Sequence, residues 1–65
     1  MNYGKNQIAL LKFLEKYPNR WHRIKSIKAI DAAKGLARRN IGVNFFSEYG
    51  FLVILEMPQM LIKQN

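Results

Sequence analysis

The chain has 65 residues, 49% of them apolar, with no cysteine and a single histidine, His22. It is therefore one small domain, with neither a disulfide framework nor a cysteine-held zinc site, and too apolar to be disordered. Eleven Lys and Arg against four Asp and Glu leave a net charge of +7, a field that attracts polyanions or anionic membrane surfaces.

The first element is a helix over 5–17. Gln7, Leu10, Leu11, Phe13, Leu14 and Tyr17 share one broad face, and Lys5, Ala9, Lys12, Glu15 and Lys16 take the other. Pro18 disfavours helical geometry at Tyr17, and Asn19 suits the exit. The segment from Trp21 to Ile24 is short and extended, with Trp21 expected in the core and His22 at the surface or a strand edge.

A second helix is predicted over 26–39, with Ser26 as its N-cap. Its apolar stripe is Ala29, Ile30, Ala33, Leu36 and Ala37. Lys28, Asp31, Ala32, Gly35, Arg38 and Arg39 point the other way, with Ile27 and Lys34 between. Asn40 can take the left-handed cap conformation that ends the helix.

The periodicity then falls to two residues. A hairpin is predicted over 41–47 and 51–56, with a turn at Ser47-Glu48-Tyr49-Gly50. Pro58 ends its second strand, and 57–65 is a short tail whose apolar anchors are Met60, Leu61 and Ile62. The expected core is Leu10, Phe13, Leu14, Trp21, Ile30, Ala33, Leu36, Val43, Phe45 and Ile54.

The order is helix, extended piece, basic helix, hairpin, carried by LLKFLEKYPNRWH, SIKAIDAAKGLARRNI and VNFFSEYGFLVIL. In that order, and in the phrase Leu36-Ala37-Arg38-Arg39-Asn40-Ile41 just before the hairpin, the chain resembles the winged-helix superfamily of DNA-binding domains. The resemblance is to a minimal version, because Trp21 to Ser26 leaves hardly any room for a middle helix. It implies a small α+β winged-helix-like domain in which the helix from Ser26 to Arg39 enters the major groove of double-stranded DNA and the hairpin is the wing. The predicted wing tip carries Glu48 and no Lys or Arg.

Residue types point the same way. Arg20, Arg23, Lys25, Lys28, Lys34, Arg38 and Arg39 place seven of the eleven bases within twenty residues, against one acid, Asp31. Phosphates are gripped by such mobile cations and by helix N-termini, so Ser26 joins the candidates as cap and phosphate ligand. Asp31 and Lys28 are candidate base readers. Ala32 and Gly35, on the face taken as exposed, would let the helix backbone lie close to DNA, although drift accounts for Gly35 equally. The function expected is that of a small transcriptional regulator or other DNA-associated protein.

The rival is a protein-interaction module, a small inhibitor or adaptor. Phe46, Phe51, Val53 and Leu55 are assigned to an outer hairpin face too apolar for water, with Met60 of the tail beside them. That face would be covered by the tail, by a protein partner or by a second copy in a homodimer.

Other classes fit poorly. His22, Asp31, Ser26 and Ser47 show no triad spacing, and Glu15, Asp31, Glu48 and Glu56 lie in four separate segments, so neither an enzyme nor a small-molecule substrate is expected. No metal or cofactor is expected. The first helix needs its apolar face for the core, which argues against membrane binding. No stretch reaches the eighteen or so apolar residues of a membrane span. The polar Met1 to Lys5 lacks the form of a secretion signal, and a soluble cytoplasmic protein is expected.

Overall fold

A computed structural model describes residues 2–57. In chain order the elements are α1 (Lys5–Lys16), β1 (His22–Ile24), α2 (Ile27–Arg38), β2 (Val43–Phe46) and β3 (Phe51–Leu55), a small α+β domain. The tail anchors Met60, Leu61 and Ile62 lie outside the described residues.

Local chemistry accounts for the element ends. The Gly4 N–H donates to Gln7 Oε1 at 3.2 Å, closing the start of α1 from within its own first turn. At the other end Tyr17 N–H reaches back to the carbonyls of Phe13 and Leu14 before Pro18 stops the helix. Ser26 caps α2 as expected, its Oγ accepting from Ala29 N–H at 3.1 Å. Asn40 takes the left-handed conformation at φ 58°. Gly42 follows at φ +97°, and a Cβ there would come within 2.8 Å of the Glu56 carbonyl oxygen, so this junction takes glycine on two counts.

The three strands form an antiparallel sheet in the order β1-β3-β2. β3 is central, pairing His22 with Val53 on one side, and Val43 with Leu55 and Phe45 with Val53 on the other. Asn19, left-handed at φ 62°, extends the union: its N–H donates to the Leu55 carbonyl and its Oδ1 accepts from Met57 N–H.

Both helices pack on one face of this sheet. The core joins Leu10 and Leu14 of α1 with Ala32, Ala33 and Leu36 of α2 and with Val43, Val53 and Leu55. Tyr3, Leu11, Ile24 and Phe45 close its margin.

Four expectations are corrected. Val53 and Leu55 do not face outward: they are 0% and 6% exposed, in the core. Residues directly opposite in an antiparallel pair share a face. Inward Val43 and Phe45 therefore carry Leu55 and Val53 inward with them, and Leu52 and Ile54 outward. Ile54 is buried as expected, but on the side away from the helices. Trp21 precedes β1 with outward parity and is 49% exposed, not a core residue. Phe13 is 44% exposed, packed on Tyr17 and edge-on to His22 at 4.8 Å, because Leu10 and Leu14 take the centre of the contact.

The fourth correction concerns the phase of α2. Ala32 is buried, whereas Ile27, Asp31, Lys34 and Arg38 are exposed. α1 lies against the edge that carries Ala32, Gly35 and Arg39, and this rotates the solvent face away from the one read from hydrophobicity alone. A Cβ on Gly35 would collide with the Gln7 side-chain amide. The space beside Gly35 is taken by the Gln7 side chain of α1, so this edge of α2 is turned toward α1 and not toward a ligand.

Candidate nucleic-acid interface

Along α2, Ile27, Asp31, Lys34 and Arg38 follow one another at spacings of four, three and four residues, which lie on a single line of a helix with 3.6 residues per turn. All four are exposed, with Ile27 at 76%. The line runs for roughly 17 Å at about 1.5 Å per residue. It carries two cations and one acid, and no other element of the described chain covers it.

The remaining candidates flank this line unequally. Lys25 and Ser26 are exposed at the entry to α2, and Arg20 is exposed in the connection after α1. The Ser26 hydroxyl oxygen serves the cap, which leaves its own proton as a donor. Lys28 is exposed on the α1 side, where a shallow groove is lined by Gly4, Lys5, Asn6, Gln7, Lys28, Asp31 and Ala32. Lys5, read from the sequence as a polar-face residue and not as a binding candidate, thus adds a cation beside Lys28. Its signal was its place in the first turn of α1, but nothing local indicates which helix end meets which.

Two arginines are placed in ways the sequence did not indicate. Arg23 lies on the outward side of β1, opposite Leu52, and its guanidinium reaches the hairpin turn: a Cβ at Gly50 would come 3.0 Å from Arg23 Nη1. The hairpin tip, which has no Lys or Arg of its own, therefore has a cation beside it from the neighbouring strand.

Arg39 is half-buried and engaged. It donates to the Asn2 carbonyl at 2.8 Å and to Gln7 Oε1 at 3.3 Å, and its guanidinium stands 4.3 Å from the centroid of the Tyr3 ring. This clamps the N-terminal segment onto the end of α2. Arg39→Ala should accordingly lower the melting temperature, through a loss of about 1–2 kcal/mol in charge-assisted hydrogen bonds and ring contact. A thermal melt checks this, and an unchanged melt would return Arg39 to the free cations.

The interface residues divide in the same manner. Phe51 is 39% exposed at the edge of the inner face, stacked on Phe45. Val53 and Leu55 are enclosed, and Met60 lies outside the described residues. Phe46 does face outward, where it joins Trp21 and Leu52 around an apolar slot of about 270 Å³. The apolar outer face exists, then, but apart from Phe46 it is built from other residues.

Among the described residues no three His, Cys, Asp or Glu side chains gather to hold a metal ion. No helix of the described chain is long and apolar enough to cross a membrane. No family model, curated protein or solved structure matches the chain.

Proposed function

We propose that this chain is a sequence-dependent binder of double-stranded DNA, acting as a small regulator through the solvent line of α2 and the cations that flank it. The observation that carries the reading is the uncovered row Ile27, Asp31, Lys34 and Arg38, bordered by Lys25 and Lys28, with Asp31 as its one acid. The order helix, short strand, basic helix and hairpin, with the short strand paired beside the hairpin, supports the winged-helix resemblance.

On this reading Lys34, Arg38, Lys25, Lys28 and Arg20 grip phosphates, and Arg23 does so from beside the hairpin tip. Ile27, in the first turn of α2, meets a base edge through apolar contact of the kind a thymine methyl group offers. Asp31 is repelled by phosphates unless it accepts from a cytosine amino group, which makes it a reader and not a grip.

Four to six neutralised phosphates give a slope of log affinity against log salt of roughly −3.6 to −5.4, at about −0.9 per phosphate. Arg38→Ala should weaken all sequences alike and flatten that slope by about 1. Asp31→Asn should tighten non-specific binding. Gly35→Ala should leave affinity unchanged, since Gly35 faces Gln7. A salt-titrated duplex binding assay checks all of these, and no binding at about 50 mM salt, where the phosphate attraction is large, would overturn the reading.

A further inference from the structure

The sheet face away from the helices carries three exposed aromatic rings in series. Trp21 and Phe46 have centroids 6.3 Å apart, and Phe46 and Tyr49 6.4 Å apart. They are 49%, 38% and 77% exposed. Leu52 completes the floor between the first two. Arg20, next to Trp21, and Arg23, on the same face, supply positive charge at the border, within a chain of net charge +7. The three rings and Leu52 are not used by the α2 site, because α2 packs on the opposite side of the sheet; Arg20 and Arg23 border both surfaces.

We propose that this face is a base-stacking platform for single-stranded DNA, with Trp21, Phe46 and Tyr49 as the stacking rings and Arg20 and Arg23 on the phosphates. Aromatic faces are of no use to a duplex, whose bases show only their edges, whereas unpaired bases stack on such rings whatever their sequence. The ring planes are turned 63° and 41° from one another, so they do not continue a single stack and suit bases that have been unstacked and splayed apart. Exposed arginines beside exposed aromatics make the surface complementary to a polyanion that also carries flat apolar groups. The choice of DNA follows from the slot itself. Its lining residues, Trp21, Phe46 and Leu52, offer a ribose hydroxyl no hydrogen-bonding partner apart from the indole N–H, and they suit the methyl group of thymine.

Trp21 is the chain's single tryptophan, so its emission reports on this face alone. The full chain is titrated with a short oligothymidylate, with an abasic strand of the same length and phosphate count, and with oligouridylate. Oligothymidylate should quench Trp21 and bind at least about tenfold tighter than the abasic strand, the gain expected from two or more stacked bases. Tyr49→Ala, at a site exposed enough to leave the fold intact, should weaken oligothymidylate by about 5- to 150-fold and leave the abasic strand unaffected. Arg38→Ala, on the α2 line, should weaken duplex DNA and leave the quenching by oligothymidylate unchanged, so failure of either site is visible separately.

Equal affinity for the abasic strand, or binding without quenching, would overturn the platform. Tighter binding of oligouridylate would overturn the choice of DNA. Trp21 shielded from acrylamide in the free chain would also overturn the platform, by showing the face already covered by the tail or by a second copy.

Discussion

Val53→Lys should unfold the domain, whereas Leu52→Lys, one residue earlier, should leave it folded. Val53 is fully buried at the centre of β3, paired with His22 on one side and Phe45 on the other. An ammonium placed there has no partner and no water, and its desolvation alone costs several kcal/mol or forces the lysine to lose its proton. A domain of this length has only about 3–10 kcal/mol of stability to lose, at about 0.05–0.15 kcal/mol per residue. Leu52 lies on the other face, half-buried beside Trp21 and Phe46, where a lysine can lay its stem along the rings and keep its charge in water. Circular dichroism melts of the two variants decide the matter. If Val53→Lys melts like the parent, or if Leu52→Lys is the one that unfolds, the strand faces are assigned the wrong way round.

Leu36→Ala is expected to be nearly as damaging, for a different reason. Leu36 is fully buried on α2, in the cluster that joins α1 to the sheet through Leu14 and Val43. Its removal leaves a cavity that backbone elements on several sides cannot close, and such truncations cost about 2–5 kcal/mol. In a domain of 60–100 residues that corresponds to a drop in melting temperature on the order of 10–40 °C. Trp21→Ala removes a larger side chain from a half-exposed site and should cost less. That order of effects is opposite to what side-chain size suggests. A larger loss at Trp21 than at Leu36 would mean that the outer face, and not the layer beneath the helices, holds the fold together.

The two surfaces proposed to meet nucleic acid lie on opposite sides of the sheet and differ in chemistry. The α2 line is cationic, with Ile27 as its one large apolar group, and its affinity should fall steeply with salt. The aromatic face draws on apolar contact and should keep more of its affinity as salt rises. Arg23 adjoins both the hairpin tip and the aromatic face, so its charge contributes to whichever strand approaches that end.

The positions of the elements were legible in the sequence because their signals are local. Pro18 and Asn19, Ser26 and Asn40 act on the backbone within a turn of themselves, and each ends or caps an element where it was expected to, within a residue. The clustering of cations between Arg20 and Arg39 is also a property of the sequence alone. Which sides those elements present was not legible. Hydrophobicity placed the buried stripe of α2 on Ala29, Ile30, Ala33, Leu36 and Ala37, yet Ala32 is buried as well and Gly35 lies against the Gln7 side chain, because α1 covers that edge.

The same holds for β3, where Phe51 to Leu55 is apolar at every position and alternation carries no information. Its parity is set by the register of its pairing with β2, and a slip of one residue would exchange the two faces entirely. Composition and periodicity therefore determined that this is a small basic α+β chain with a cationic second helix. Only the packing of α1 on α2 and of β2 on β3 decided that Val53 and Leu55 lie inside, that Trp21 lies outside, and that Arg39 is tied to the N-terminus. A residue's own chemistry sets how strongly it avoids water, but the neighbour that covers it comes from a distant part of the chain.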